Sequence, residues 1–276
     1  MNVVFGIVLF AAALHATWNA IVKGSSDKLL TMVLVTGSAA LIAIIALPWL
    51  HQPARASWPL IGASCVFQVT YFVLVARTYH VADMSLTYPL MRGTAPLLVT
   101  IVSVSGLDAG LSTGMCIGVA VISFGILGMA WGGRHAGRRG IVLALINAVV
   151  IASYTLIDGI GVRRSDAPEA YTLWIFLGSG IPFALWAIGT RRAALAGYLR
   201  RNWHFGLIGG CGSIASYGLA LWAMTLAPIA VIAALRETSI VFGTIISGLV
   251  LKERIGPARF LAACTIALGA AVLRLA

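Results

Sequence analysis

Apolar runs of about twenty residues, joined by short polar connections, follow one another along the whole of this 276-residue chain. A run of that length lets a helix cross a hydrocarbon core about 30 Å thick. Only 10% of the residues are charged, whereas a soluble domain carries about 25%. Ten runs can be delimited, at about residues 3–22, 30–50, 58–77, 84–105, 112–132, 140–158, 169–190, 203–225, 229–250 and 255–275. The sequence therefore predicts an all-α polytopic membrane protein with ten transmembrane helices.

The connections between the runs are short, and the longest polar ones cover residues 133–139, 159–168 and 191–202. None of them has room for an extramembrane domain, so we expect the protein to act within the bilayer. The first run contains polar residues such as His15 and Asn19 and has no basic segment before it. This favours a retained helix over a removed signal peptide.

The 19 lysine and arginine residues are distributed unequally between the two sides of the predicted bundle. Thirteen lie in the connections that follow the odd-numbered runs, whereas four lie on the side of the termini: Arg55, Arg163, Arg164 and Arg274. Since cytoplasmic connections carry the excess of Lys and Arg, we expect both termini outside. The basic residues stand singly or in pairs at the ends of runs, so the net charge of +11 does not indicate nucleic-acid binding. The remaining two, Arg92 and Arg236, lie inside apolar runs.

The four cysteines fall in four different runs: Cys65, Cys116, Cys211 and Cys264. They form no C-x-x-C pair, so the sequence predicts neither a zinc site nor a redox motif. We expect the cysteines to pack in the core. No metal or other cofactor is expected, and the lack of a phosphate-binding P-loop argues against direct use of ATP.

The chain repeats itself at an offset of 144 residues. This register pairs Arg92 with Arg236 and Thr94 with Thr238. Chance agreement is easy among apolar residues but less so for an arginine and a threonine within apolar runs. The repeat therefore indicates two related halves that share one site.

Each half of the chain contains five of the predicted helices. An odd number makes the second half insert upside down relative to the first, which is the inverted-repeat architecture of secondary transporters. We predict a first repeat over residues 1–132, a linker at 133–139 and a second repeat over 140–276. Binding sites in such proteins lie near the membrane midplane between the repeats.

Three segments of the chain are similar to those of a known family. They are residues 15–23 in the first run (His-Ala-Thr-Trp-Asn-Ala-Ile-Val-Lys), 88–92 in the fourth (Tyr-Pro-Leu-Met-Arg) and 251–254 after the ninth (Leu-Lys-Glu-Arg). With ten runs in two halves, the chain resembles EamA-type members of the drug/metabolite transporter (DMT) superfamily. The resemblance implies a helical bundle around a central cavity, alternating access, no nucleotide and no metal. Glu253 fits the family's acidic residue after the ninth helix, but its counterpart in the first half is Ala109.

Side chains able to bind a solute are spaced one turn apart in the first run. His15 and Asn19 stand four residues apart with Trp18 beside them, so they share one helical stripe and could line a cavity. The alternative is interhelical hydrogen bonding by His15 and Asn19, with Trp18 as an anchor at the membrane interface.

A charged residue inside an apolar run is costly, so Arg92 and Arg236 each indicate a functional site. A guanidinium binds a carboxylate, phosphate or phosphonate bidentately. The alternative is a structural ion pair with Glu237 or Asp158. Because Gly93 in the first half corresponds to Glu237 in the second, we expect Arg92 to be the arginine that is free for a solute.

Pro89 and Pro96 flank Arg92 in the fourth run. They are expected to kink or break its helix at the edge of a cavity. Tyrosines from several runs complete the predicted site. The residues expected to contact the solute are His15, Trp18, Asn19, Tyr71, Tyr88, Arg92, Tyr154, Tyr217 and Arg236.

Three residues are candidates for proton coupling: His15, Asp158 and Glu237. A histidine titrates near neutral pH, and a buried carboxyl group can take up a proton. Structural pairing is the alternative for each of them.

These features predict a secondary transporter, not an enzyme, in a bacterial inner membrane. The superfamily that the chain resembles moves many metabolites, and the buried arginines favour an anionic or zwitterionic solute such as an amino acid, carboxylate or phosphonate. A channel or a structural membrane subunit is the alternative, although no selectivity loop is evident. An intramembrane enzyme is disfavoured because no H-E-x-x-H or G-x-S-x-G motif occurs. The expected partners are the solute and the lipid bilayer, with monomer and homo-oligomer both open.

Overall fold

The computed structural model describes residues 2–107, 110–132, 137–250, 252 and 255–276. Most of the predicted linker (133–136) and the acidic position at Glu253 with its counterpart Ala109 lie outside the described residues. The helices are α1 (Asn2–Gly24), α2 (Lys28–Ala46), α3 (Trp58–Val81), α4 (Met84–Val102), α5 (Thr113–Gly128), α6 (Arg138–Arg163), α7 (Pro168–Met224), α8 (Ile229–Arg236), α9 (Ser239–Leu249) and α10 (Pro257–Leu275). Short 3-10 segments cover Leu47–Trp49, Arg55–Ser57 and Met129–Gly132, and a π-helical segment covers Ser103–Leu107. The described part of the chain contains no β-strand.

Seven helical segments in the described part of the chain are long and apolar enough to cross a membrane. They are α1, α2, α3, α6, α7, α8 together with α9, and α10. Large apolar side chains such as Leu41, Ile45, Phe124 and Leu261 are exposed on the outside of the bundle, as helices in lipid require. The prediction of an all-helical polytopic membrane protein is therefore confirmed, while the number of crossings and the inverted repeat stay predictions.

The sixth helix is longer than its predicted run at residues 140–158. α6 begins at Arg138, within the predicted linker, and continues to Arg163. The connection predicted at 159–168 therefore starts only after residue 163. Gly161 lets α6 continue in close contact with Tyr171 of α7.

Arg163 joins the end of α6 to the end of α7. Its Nε donates to the carbonyl oxygen of Met224 at 2.7 Å, and its Nη2 donates to that of Ala227 at 2.9 Å. The last carbonyls of a helix lack intrahelical donors, and a cation there is favourable. This contact sets where the polar residues of α6 lie relative to those of α7.

The connection predicted at residues 191–202 is helical and forms the middle of the 57-residue helix α7. Its backbone departs from helical angles only at Arg191 (φ −138°, ψ 30°) and Asn202 (φ −125°, ψ 16°). The segment is rich in alanine, leucine and arginine, which are good helix formers. The Tyr198 hydroxyl lies 2.8 Å from Thr31 Oγ1, which holds the segment against α2. Its polarity thus indicated exposure and not the absence of a helix.

A break occurs in the ninth predicted run, between α8 and α9, at Glu237 and Thr238. The Thr238 N–H donates to the carbonyl of Leu235 at 3.0 Å, three residues back, and its hydroxyl donates to the same oxygen at 2.6 Å. A hydroxyl that competes for backbone acceptors favours such a tightened turn. Of the kink or break predicted in the fourth run, the break is absent, because α4 stays helical through Pro89 and Pro96.

Close packing on two sides supports α4 despite its prolines. The helix packs against α5 and α6. Gly93 lies so near α5 that an added Cβ would be 3.0 Å from the carbonyl oxygen of Ser123 and 2.8 Å from Leu127 Cγ. These contacts keep α4 in place although each proline removes one backbone donor.

The helices α1, α3, α4, α6, α7 and α8 meet around the break. α1 packs against α7 and α8, α3 against α6 and α7, and α4 against α6 and α8. The apolar part of this core includes fully buried Leu221, Ile232 and Ile266. The arrangement brings the polar residues of six helices to one place.

The expectation that all four cysteines pack in the core was wrong for two of them. Cys65 and Cys116 are partly buried, but Cys211 and Cys264 are exposed. In a membrane protein an apolar side chain is as stable against lipid as it is in the protein core. The apolar character of a run therefore does not show which of its faces is buried.

Candidate functional site

Arg92 and Glu237 form an ion pair inside the bundle. The Arg92 Nε donates to Glu237 Oε2 at 2.9 Å, and the two side chains are 11% and 7% exposed. Arg92 lies in the middle of α4, whereas Glu237 lies at the break between α8 and α9. The expectation that Arg92 is the arginine free of a carboxylate was therefore wrong, and the ion pair considered as its alternative is present.

Arg236 has a different environment from Arg92. Its guanidinium carbon lies 4.8 Å from the centre of the Tyr217 ring, which is the geometry of a cation–π contact. Among the described residues, no carboxylate forms an ion pair with it. Neighbouring residues on a helix point about 100° apart, so Glu237 can face α4 while Arg236 faces α7.

A small cavity of about 20 Å³ lies between α4, α6 and α8. Its polar lining is Arg92, Tyr154, Thr155, Arg236 and Glu237, and the rest is apolar: Ala95, Pro96, Val99, Ile151 and Ala233. A cavity of this size holds about one water molecule. The two arginines thus share a cavity that is too small for an organic solute in this conformation.

Asp158 of α6 is fully buried and lies one helical turn after Tyr154 and Thr155 of the cavity lining. The Tyr171 hydroxyl donates to its Oδ1 at 3.3 Å, and the Tyr217 hydroxyl donates to its Oδ2. Ser64 of α3 lies within hydrogen-bonding reach of the same carboxyl group. Tyr217 therefore contacts Asp158 with its hydroxyl and Arg236 with the face of its ring.

The tyrosines on the other side surround Arg92. The rings of Tyr71 and Tyr154 meet edge to face with centres 6.1 Å apart. Tyr88 interacts electrostatically with Arg92 and Glu237. Of the tyrosines in the predicted site, Tyr71, Tyr88 and Tyr154 are thus near Arg92, whereas Tyr217 is near Arg236.

The polar residues of α1 approach the arginines through His15. His15 interacts electrostatically with Arg92 and Arg236, and its ring meets Trp18 edge to face at 5.2 Å. The Asn19 amide donates to the His15 carbonyl oxygen at 2.7 Å, within its own helix. The Trp18 Nε1–H is buried and has no partner among the described residues. The hydrogen bond of Asn19 and the ring contact of Trp18 with His15 thus stay within α1, and His15 is the member of this stripe that interacts with the arginines.

Sequence reasoning missed several polar residues of this region, among them Tyr171 and Asn147. Tyr171 belongs to the predicted seventh helix and meets Asp158 only through folding, so no spacing could reveal it. Asn147 is fully buried; its amide donates to Met91 Sδ at 2.9 Å, and its Oδ1 has no partner among the described residues. Asn147 lies seven residues before Tyr154, two helical turns away, and that spacing could have indicated it.

Gly161 makes room for the tyrosine that binds Asp158. A Cβ at this position would collide with the Tyr171 ring, at 2.6 Å from Cζ. Replacing Gly161 with alanine is therefore expected to lower the free energy of unfolding by about 1–3 kcal/mol, measured by denaturant titration in detergent micelles. Gly189 of α7 is the matched control, because nothing lies within 4 Å of its added Cβ. Equal stability of the G161A and G189A variants would contradict the close contact.

Helices able to cross a membrane, with arginines, acids and tyrosines between them, define a polytopic membrane protein with a polar site inside its helical bundle. The EamA-like transporter family is matched over residues 138–275, half of the chain, and the protein belongs to this family. Members of the family are membrane transporters of small molecules, not enzymes. The resemblance seen in the sequence is thereby confirmed.

Comparison with other proteins supports the fold but adds no substrate. One crystal structure of another protein has a TM-score of 0.75 and 19% sequence identity to this chain, and the alignment covers 99% of this chain and 96% of that one. At such low identity the similarity shows the fold alone. No protein of curated function matches the sequence.

Proposed function

We propose that the protein is a secondary transporter that carries a small anionic or zwitterionic organic solute by alternating access. The observation that carries this proposal is Arg236, whose guanidinium borders the polar cavity without a carboxylate partner among the described residues. A cation at membrane depth is costly, and a carboxylate or phosphonate from the solute compensates it with charge-assisted hydrogen bonds. Arg236 is the primary anion-binding residue in this proposal.

The other predicted contact residues differ in how directly they contact the solute in this proposal. Tyr154 lines the cavity with Arg236, and Tyr217 orients the Arg236 guanidinium from its other side. Arg92 becomes available to the solute only when its bond to Glu237 opens. A zwitterionic solute fits the same site because Glu237 offers a carboxylate for an amino group. His15, Trp18, Asn19, Tyr71 and Tyr88 form the outer wall.

The proposed architecture is ten crossings in two inverted five-helix repeats, residues 1–132 and 140–276. A straight helix of 57 residues would be about 85 Å long, far more than the roughly 30 Å of a hydrocarbon core. The two departures from helical angles in α7 therefore support two crossings joined by a helical connection. α8 and α9 form one crossing that is broken beside the site, as discontinuous helices of such transporters are. Termini outside an inner membrane complete this proposal.

Alternating access requires the cavity to enlarge. The Arg92–Glu237 ion pair links α4 of the first repeat to the break in the second. A tightened helical turn is a common hinge. In the proposed cycle this link opens as the repeats rock, and the solute then reaches Arg236 from one side of the membrane at a time.

Uptake by purified protein in liposomes tests the proposal. Labelled L-alanine, succinate and methylphosphonate represent a zwitterion, a carboxylate and a phosphonate, and labelled choline serves as a cationic control. We expect saturable uptake of at least one of the first three, accelerated by the same unlabelled compound inside, because an alternating-access carrier returns faster when loaded. Uptake without saturation or counterflow would indicate a channel. Transport of choline alone would contradict an anion site at Arg236.

A further inference from the structure

We propose that Asp158 carries the proton that drives transport, and that Tyr217 is the positioning residue that links it to the solute site at Arg236. This inference rests on the proposed function and adds the driving ion. The step moves one proton onto the Asp158 carboxylate and off again, and no other bond forms or breaks.

The surroundings of Asp158 allow both protonation states. The carboxyl group is fully buried, and its partners are the hydroxyl groups of Tyr171 and Tyr217, with that of Ser64 within hydrogen-bonding reach. In the described part of the chain no cation forms an ion pair with it. Hydroxyl groups stabilise a carboxylate by donating hydrogen bonds, but they can also accept one from a carboxylic acid. A change of protonation at Asp158 can therefore keep a hydrogen bond to each hydroxyl group and breaks no ion pair.

The other two candidates for proton coupling are less suited to the role. Glu237 holds Arg92 at 2.9 Å, so a proton on Glu237 would leave a buried guanidinium without its counter-ion. His15 interacts electrostatically with both Arg92 and Arg236, and two nearby cations oppose a third positive charge. Asp158 is the candidate that can take up a proton without breaking an ion pair and without adding a third positive charge beside two arginines.

Three of the helices packed against α6, together with α6 itself, contribute titratable or charged groups that interact with Asp158. The titratable or charged groups of the described residues that interact with Asp158 are Cys65 from α3, Tyr154 from α6, Tyr171 and Tyr217 from α7, and Arg236 from α8. Thiol and phenol groups are neutral at physiological pH at their ordinary pKa values. The charge that acts on Asp158 from within this set is therefore that of Arg236.

The linkage between proton and solute follows from that charge. Without a solute, the positive charge of Arg236 stabilises the Asp158 carboxylate across the ring of Tyr217. An anionic solute on Arg236 cancels this field, so Asp158 then takes up a proton. Because such coupling is reciprocal, a protonated Asp158 also favours binding of the anion. The anion and the proton consequently move together in one direction.

Liposomes that contain the pH-sensitive dye pyranine report proton entry, while the labelled probe reports solute entry. The probe used is whichever of L-alanine, succinate and methylphosphonate shows counterflow. With the wild type, an inward proton gradient is expected to drive accumulation of this probe and to acidify the interior. The D158N variant mimics the protonated state, so it should keep counterflow. Its accumulation of the same probe under the proton gradient should fall about tenfold or more. Y217F keeps the aromatic ring beside Arg236 and loses the hydroxyl that binds Asp158, so it should transport fewer protons per solute molecule than the wild type.

Glu169 is the matched control, since it is an exposed acid in the first turn of α7, and E169Q should behave as the wild type. Undiminished accumulation by D158N, or counterflow by the wild type without proton movement, would overturn the inference and leave the proposed function intact. Lack of counterflow with all three probes would count against the proposed function itself. Infrared spectroscopy of the protein without solute then tests whether Asp158 is the group that takes up the proton. The wild type should show a carboxylic-acid band that appears on acidification, and this band should be absent from D158N. Persistence of the band in D158N would overturn the inference.

Discussion

Replacing Arg236 with glutamine is expected to lower saturable solute uptake about 100-fold or more. Removing one partner of a buried, hydrogen-bonded charge pair costs about 2–5 kcal/mol, and each 1.4 kcal/mol corresponds to about a tenfold change in affinity. Glutamine keeps hydrogen-bonding capacity and similar size, so the loss reports on the charge. Arg236 borders the cavity and contacts Tyr217. Its charge is therefore expected to contribute most to the binding of an anionic solute.

The R236K variant sharpens this prediction. Lysine keeps the charge but lacks the planar fork that binds a carboxylate bidentately, so we expect uptake between that of the wild type and that of R236Q, with the loss mainly in KM. The control is R77Q, because Arg77 is an exposed residue of α3. Counterflow of the labelled probe as a function of its concentration separates KM from maximal rate. Retained affinity in a folded R236Q protein would contradict the role of Arg236 as the anion-binding residue.

Breaking the Arg92–Glu237 ion pair is expected to have the largest effect on stability. The bond is 2.9 Å long between side chains that are 11% and 7% exposed. Removing one partner of a buried pair leaves an uncompensated charge and costs about 3–5 kcal/mol. The single variants R92Q and E237Q should each lose this amount of unfolding free energy, whereas R92Q/E237Q should lose less than either, because two amides can bond to each other.

Unfolding by denaturant in detergent micelles measures the four members of this double-mutant cycle. The exposed pair of substitutions R77Q and E169Q provides the matched control, and their effects should be small and additive. If the losses of unfolding free energy in the two single variants simply add up in the double variant, the bond between Arg92 and Glu237 contributes little to stability. The same variants test the proposed cycle, since R92Q/E237Q removes the link between α4 and the break and should change transport even where folding is restored.

The membrane class of the protein could be predicted from the sequence because hydropathy is a property of each residue by itself. Every predicted run has a helical counterpart in the described residues, and the EamA family is confirmed by the match over residues 138–275. Boundaries were less predictable. The polar stretch at 191–202 was interpreted as a loop, yet helix propensity and a contact between Tyr198 and Thr31 make it helical.

Helix breaks were also misassigned, for a physical reason. Proline removes a backbone donor, which suggested a kink or break in α4, but α4 packs against α5 and α6 and has no break. The break between α8 and α9 arises from a tightened turn at Thr238, supported by its own hydroxyl. A lone threonine gives little warning of such a turn, because most threonines in membrane helices bond back to the preceding turn without breaking the helix.

By itself the sequence determined that this is a helical membrane protein with two arginines at related positions inside apolar runs, since burying a charge in lipid is costly wherever it occurs. Which arginine carries a counter-ion was decided only by the tertiary structure. The helical break turns Glu237 toward Arg92 and leaves Arg236 against the ring of Tyr217. Such pairing depends on distances between helices that are far apart along the chain, and no local pattern of residues encodes those distances.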